Sequence, residues 1–146
     1  HMEAALAEAR AAGERGEVPV GAVVVGPDGR IVARAGNRTR ELNDPTAHAE
    51  IVAIRKACAR LGQERLVGCD LYVTLEPCAM CAAAISFARV RRLYFGASDP
   101  KGGGVEHGAR VFSQTTCHHV PEIYSGIGAE EAAALLKTFF FERREG

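Results

Sequence analysis

The sequence predicts an α/β fold in which a mixed β-sheet carries helices on both faces. Segments typical of strands and of helices alternate along the chain after an opening β-hairpin. The 146 residues suffice for one compact domain, and a content of 47% hydrophobic and 25% charged residues is ordinary for a globular protein. We therefore expect a single domain over residues 2–146, with His1 as a remnant of an expression vector.

Each predicted element follows from a local pattern. Apolar residues on one stripe of the first segment, ended by Gly13 and Gly16, indicate an amphipathic helix. The turn sequence 26–29 between two β-rich runs indicates a hairpin. Asp44-Pro45 has the residue types of a helix N-cap and a first helical position. The predicted helices span residues 2–15, 45–62, 78–88 and 129–144, and the predicted strands span residues 20–25, 31–35, 71–75, 92–96 and 120–124.

Two segments of the second half have an unusual composition. The helix over residues 78–88 is apolar on nearly every face, so we expect it to lie inside the core or against a second subunit. Residues 101–104 read Lys-Gly-Gly-Gly, and their glycine content predicts a flexible loop.

Charge and hydropathy exclude several classes of protein. Eighteen Lys and Arg balance eighteen Asp and Glu, and this zero net charge disfavours extended, sequence-independent binding to nucleic acid, although a local basic patch is still allowed. The longest apolar runs fall far short of the ~18 residues that a membrane span needs. No basic segment followed by an apolar one opens the chain. We expect a cytoplasmic protein without a membrane anchor.

The cysteines indicate a metal site rather than disulfides. The chain has five, an odd number and a low density for a disulfide framework. Cys78 and Cys81 lie three residues apart at the start of a predicted helix, where they share a face and where the helix N-terminus favours the thiolate form. His48, near the start of the earlier helix, can supply a third ligand. One histidine and two cysteines are a ligand set of catalytic zinc, whose fourth position stays open to water.

Glu50 lies two residues after His48, and positions two apart on a helix point about 200° apart around its axis. We therefore expect Glu50 to face the same cavity without binding the metal, and to move a proton from the attacking water to a leaving amine. A lone C-x-x-C with one histidine also fits a redox pair or a structural zinc site. The candidates for the fourth ligand of a structural site are Cys69, His107, Cys117, His118 and His119.

These motifs resemble those of a known enzyme family. His48-Ala49-Glu50 followed by Pro77-Cys78-Ala79-Met80-Cys81 matches the H-x-E and P-C-x-x-C signature of the cytidine/deoxycytidylate deaminase superfamily. The resemblance to one branch, the bacterial tRNA-specific adenosine deaminases, covers nearly the whole chain. The similar segments are residues 17–22, 36–38, 44–50, 71–78 and 95–97, Asp99, and Phe139-Phe140 with Arg143-Arg144.

The resemblance implies a three-layer α/β/α fold of the cytidine deaminase type, with a central mixed sheet of about five strands. It implies hydrolytic deamination of adenosine to inosine at the wobble position of a tRNA anticodon. It also implies a homodimer with one Zn²⁺ per subunit, held by His48, Cys78 and Cys81, with Glu50 as the proton shuttle.

The resemblance further implies contacts with the anticodon loop. Asn37 and Asp99 would bind the flipped nucleoside, and Phe140, Arg143 and Arg144 would contact the flanking nucleotides. A splayed-out nucleotide is also held between apolar walls, for which Val20 and Leu75 are candidates. Burial statistics leave ordinary strand core as an equal alternative for these two residues.

Two other functions stay open at this point. A deaminase of a free base or nucleoside, such as guanine or cytosine, would use the same zinc site, and the zero net charge mildly favours it. An inactive RNA-binding or structural zinc module is the second alternative, but such a module has no need of Glu50. The segment 101–119 resembles the family least, and no role follows for the residues Glu106, His107, Cys117, His118 and His119.

Overall fold

The computed structural model describes residues 1–145, with side chains described for residues 1–143. A one-turn 3₁₀ helix, Val111–Ser113, lies inside the segment that the sequence left unassigned. The other elements in chain order are α1 (Met2–Glu14), β1 (Gly21–Val25), β2 (Ile31–Gly36), α2 (Ala49–Leu61), β3 (Asp70–Leu75), α3 (Ala79–Phe87), β4 (Arg92–Ala97), β5 (Glu122–Tyr124) and α4 (Ala129–Glu145).

The five strands form one mixed sheet in the order β2-β1-β3-β4-β5. β1 runs antiparallel to both β2 and β3, whereas β3, β4 and β5 are parallel. The parallel pair β3 and β4 is joined through α3, so the carboxyl ends of these two strands meet at the same edge of the sheet. This topology confirms the predicted mixed sheet.

Both faces of the sheet are covered, which confirms the predicted three-layer fold. Alternate residues of β1 enter different cores because successive side chains of a strand point to opposite faces. Ala22 and Val24 pack in the core beneath α2 and α3, whereas Val23 and Val25 pack in the core beneath α1 and α4. α1 lies directly against β1, since a Cβ at Gly21 would overlap the carbonyl oxygen of Ala5.

The start of α2 differs from the prediction. The helix begins at Ala49 instead of Pro45, and His48 is its N-cap with an extended backbone (φ −67°, ψ 155°). The reason is local: Oδ1 of Asp44 accepts hydrogen bonds from the backbone N–H (2.9 Å) and the hydroxyl (2.7 Å) of Thr46. These bonds close a turn that competes with the helix. Glu50 therefore lies in the first turn of α2.

α3 buries only part of its apolar surface. Cys81, Ala82, Ile85 and Ser86 are buried, but Phe87 is 75% exposed. Within the described residues, no helix combines the length and the apolar character that a membrane crossing needs.

Candidate metal centre and its cavity

Three ligand atoms converge where the N-termini of α2 and α3 meet. Nδ1 of His48 lies 3.6 Å from Sγ of Cys78 and 3.5 Å from Sγ of Cys81. In a tetrahedral zinc site, Zn–N bonds of about 2.0 Å and Zn–S bonds of about 2.3 Å separate the nitrogen and the sulfur by about 3.5 Å. The three side chains therefore fit one zinc ion without rearrangement.

The structure also tests the alternative of a structural zinc site. Among the described residues, His48, Cys78 and Cys81 are the only group of three or more such ligands within reach of one ion. None of the five candidates for a fourth protein ligand belongs to this group. The arrangement therefore has the three-ligand composition of a catalytic zinc site, which leaves one position for water.

Local backbone structure places the ligands. β3 ends at Leu75, and after Glu76 and Pro77 the chain reaches Cys78, the N-cap of α3. Cys81 lies in the first turn of that helix and is buried. Because His48 is likewise the N-cap of α2, the site lies between two helix N-termini, whose partial positive charge stabilises thiolates.

The pKa values of the two thiols are shifted in opposite directions. The contact with Cys81, reinforced by the contact with His48, lowers the pKa of Cys78 to about 4. The same Cys78–Cys81 contact and burial raise the pKa of Cys81. The hydrogen bond with Cys78 raises the pKa of His48. One thiolate is thus ready to bind a cation, and the second thiol retains its proton until a metal replaces it.

Glu50 lies beside the ligands with only 4% of its surface exposed. Burial raises the pKa of its carboxyl to about 7. A carboxyl with a pKa near neutrality exchanges protons readily at physiological pH, as a general acid and base must. The position and the pKa of Glu50 agree with the predicted proton shuttle, and its role stays a prediction.

A cavity of about 320 Å³ opens next to the metal ligands. His48, Glu50 and Cys78 line one part of it. The remaining wall includes the four residues predicted to bind the flipped nucleoside, which are Val20, Asn37, Leu75 and Asp99. It also includes four residues for which the sequence predicted no role: Val18, Thr39, Glu76 and Gly102. The volume lies at the small end of the range for ligand sites, which is about 300–1,000 Å³.

Asn37 connects this cavity to α2. Its Oδ1 accepts a hydrogen bond from the backbone N–H of Ala49 (2.7 Å), one of the N–H groups that a helix start leaves without a partner. Its own backbone N–H donates to the carbonyl of Val20 (3.1 Å). With the amide oxygen engaged, the side-chain NH₂ group is the part of Asn37 that remains to donate to a ligand.

The predicted C-terminal contacts lie apart from the cavity lining. Phe140 is 47% exposed on α4. Nη2 of Arg143 donates to the carbonyl of Gly16 (2.7 Å), and its guanidinium lies 4.7 Å from the ring centre of Phe139. Arg143 thus joins α4 to the turn that leads into the cavity wall at Val18. The side chain of Arg144 lies outside the described residues.

Glu76 is the functional candidate that sequence reasoning missed. Its carboxylate is buried and binds the segment that carries Asp99. A polar residue directly after a buried strand, at the carboxyl edge of parallel strands, was the available signal. The 101–104 segment also differs from the prediction, because Gly103 and Gly104 are buried and packed against their surroundings.

Comparisons with known proteins agree with this site. Residues 1–97 match the family model of the cytidine and deoxycytidylate deaminase zinc-binding region. The chain is 71% identical to the tRNA-specific adenosine deaminase of Agrobacterium fabrum, over 98% of this chain and 93% of that protein.

Two solved structures extend the comparison. One comes from a study of A-to-I editing by tRNA:A34 deaminases; it is 72% identical, with a TM-score of 0.91, over 92% of this chain and 97% of that chain. A guanine deaminase from Bacillus subtilis is 32% identical, with a TM-score of 0.66, over 99% of this chain and 92% of that chain. The chain therefore belongs to the cytidine and deoxycytidylate deaminase family and, within it, to the tRNA-specific adenosine deaminases.

Proposed function

We propose that this protein hydrolyses adenosine to inosine and ammonia at the wobble position of a tRNA anticodon. The observation that carries the proposal is the buried carboxyl of Glu50 beside a three-ligand metal group that opens into a cavity. The 71% identity to a tRNA-specific adenosine deaminase supports adenosine in tRNA as the substrate.

The residues divide the chemistry between them. His48, Cys78 and Cys81 would hold one zinc ion, which would supply Lewis acidity for the activation of water, and the carbon that is attacked is C6 of adenine. Glu50 accepts a proton from the attacking water and donates it to N1 of the base. It then moves the remaining hydroxyl proton to the 6-amino group, which leaves as ammonia as the C6 carbonyl forms. Burial favours this role because it keeps the neutral and ionised forms of Glu50 close in energy near pH 7.

The cavity wall binds the flipped nucleoside. The NH₂ group of Asn37 donates to an acceptor on the base or the ribose, and the carboxylate of Asp99 accepts from a ribose hydroxyl. Val20 and Leu75 contact the faces of the base. Both residues also pack in the hydrophobic core, and their place in the cavity lining supports a contact with the base in addition to that role.

The C-terminal helix contacts the nucleotides that flank the target. Exposed Phe140 offers an aromatic face for stacking, and Arg143 and Arg144 pair with phosphates or bases. The link between Arg143 and Gly16 supports this assignment, because it fixes the end of α4 next to the turn that leads into the cavity wall.

The chain acts as a cytoplasmic homodimer in which residues 2–146 form one domain. Exposed Phe87 and the groove of about 260 Å³ between α3 and residues 111–118 support α3 as the interface, since exposed aromatic surface of this kind is typical of subunit contacts. The substrate class supports the cytoplasm as the location. A sedimentation profile of a strict monomer at micromolar concentration would contradict the homodimer.

An anticodon stem-loop with adenosine as the first anticodon residue tests the function directly. We expect inosine at that position after incubation with the zinc-loaded protein, detected by nucleoside analysis. The matched stem-loop with adenosine only at another loop position serves as the control. Turnover of free guanine or cytosine with an unchanged stem-loop would instead establish a free-base deaminase.

A further inference from the structure

The carboxylate of Glu76 organises the segment 99–107. Oε1 accepts hydrogen bonds from the backbone N–H of Asp99 (2.9 Å) and from Nδ1 of His107 (2.8 Å). Oε2 accepts from three successive backbone N–H groups, those of residues 105, 106 and 107, at 3.0–3.2 Å. The side chain of Glu76 is 0% exposed, so this carboxylate is buried and fully partnered.

Two glycines allow this segment to pack closely against Glu76 and the start of α3. A Cβ at Gly103 would overlap the carboxylate of Glu76, and a Cβ at Gly104 would lie 2.5 Å from the backbone nitrogen of Ala79. The N–H of Gly104 donates to the carbonyl of Pro77 (2.8 Å). The segment is therefore fixed against the turn that carries Cys78.

The same segment forms part of the cavity wall. Asp99 and Gly102 both line the cavity, and Oδ1 of Asp99 accepts from the N–H of Gly102 (2.9 Å). The bond from the Asp99 N–H to Glu76 sets the position of that backbone. Displacement of the Glu76 carboxylate would therefore move Asp99 within the cavity. His107 is the only side-chain donor to that carboxylate among the described residues.

We propose that Glu76 and His107 form a positioning pair that holds Asp99 in the place where it binds the target nucleoside. The inference rests on the proposed function and extends it to His107, which does not line the cavity, and to Glu76, which lines it with a side chain that is 0% exposed. The imidazole of His107 fixes Oε1, and Oε1 fixes the backbone of Asp99.

Substitutions at His107 test the pair, because its side chain is 35% exposed and its removal leaves the backbone bonds to Glu76 in place. His107→Ala removes the donor, whereas His107→Asn keeps an N–H group near the position of Nδ1. We expect His107→Ala to raise KM for the anticodon stem-loop about three- to tenfold with less than a twofold change in kcat, and His107→Asn to restore most of the loss. Zinc should stay at one per chain in both variants.

A double-mutant cycle with Asp99→Ala separates positioning from general stability. If His107 acts through Asp99, His107→Ala should raise KM less than twofold in the Asp99→Ala background. An equal KM increase in both backgrounds would overturn the proposal. A lowered melting temperature with unchanged KM would also overturn it, since the contact would then be only a structural one.

Two further outcomes are distinguishable from these. If the wild-type protein forms no inosine in the stem-loop, the proposed function fails, whatever the His107 variants do. If His107→Ala does not fold, His107→Leu carries the same expectation, because it also lacks a donor and fills the space of the ring. A normal KM for either folded variant contradicts the positioning pair.

Discussion

Two loops bound the cavity, and a buried glutamate holds each of them. Glu17 accepts hydrogen bonds from the backbone N–H groups of Arg40 (3.1 Å) and Glu41 (2.8 Å) and from the hydroxyl of Thr39 (3.4 Å). Glu76 accepts four backbone N–H groups and one imidazole from the loop 99–107. In both loops an ionised carboxylate replaces the regular hydrogen bonding of a helix or strand.

The difference between the loops lies in what else they contact. The loop around Glu41 is polar and exposed. Its other contacts are backbone hydrogen bonds within the loop and ion pairs at the surface, such as those of Arg15 and Arg38 with Glu41. The loop around Glu76 is packed on α3 next to the metal ligands. The same device therefore holds one exposed loop and one loop that packs closely against the start of α3.

Glu76→Ala should have the largest effect on stability. The substitution leaves four buried backbone N–H groups and an imidazole without their acceptor. We expect the free energy of unfolding, measured by urea titration of the zinc-loaded protein, to fall by about 4 kcal/mol. Glu106→Ala, an exposed carboxylate on the same loop, is the control and should change it by less than about 0.5 kcal/mol. Equal changes in the free energy of unfolding for the two variants would contradict the role of Glu76 as the acceptor that holds the loop.

Glu17→Gln should have a smaller effect that depends on pH. Burial raises the pKa of Glu17, but the backbone N–H groups of Glu41 and Arg40 lower it further, so the net pKa lies below the ordinary 4.5. Its stabilisation is therefore present above pH 4.5 and is lost as the pH falls through the folded-state pKa. We expect Glu17→Gln to lower the free energy of unfolding by about 2 kcal/mol at pH 7.

The pH dependence provides the check on Glu17. The difference in the free energy of unfolding between wild type and Glu17→Gln should shrink as the pH falls below 4.5. Glu41→Gln is the control, because it removes an exposed charge from the same loop and leaves Glu17 unchanged. It should change the free energy of unfolding by less than about 0.5 kcal/mol at pH 7. A difference for Glu17→Gln that does not change with pH would show that the charge of Glu17 is not what holds the loop.

The smallest effects are expected at the cysteines outside the loops and the metal group. Cys58→Ser and Cys117→Ser should keep one zinc per chain, because neither residue belongs to the ligand group. Both are only partly buried, so we expect less than about 1 kcal/mol of destabilisation. Elemental analysis checks the zinc content, and loss of zinc in either variant would revise the ligand set.

The metal group and the sheet could be predicted from the sequence because their signals are local. A three-residue spacing between Cys78 and Cys81 puts both on one helix face, and alternating elements limit the topology. The predicted start of α2 was wrong because a side-chain turn at Asp44 competes with the helix. The residue types that favour such a turn also favour a helix N-terminus.

The buried glutamates that hold the two loops, Glu17 and Glu76, could not be predicted in the same way. The carboxylate of Glu76 binds residues 23 to 31 positions further along the chain, and no periodicity encodes such contacts. Glycines at 102–104 are compatible with flexibility and with close packing alike, and only the neighbouring atoms distinguish the two.

Glu50→Gln tests the central claim most directly, since it keeps the shape of the side chain and removes its ability to move a proton. We expect one zinc per chain by elemental analysis, unchanged binding of the anticodon stem-loop, and a loss of about a thousandfold or more in kcat for inosine formation. Activity within about tenfold of wild type, or a variant that no longer retains zinc, would contradict a proton shuttle beside an open metal position.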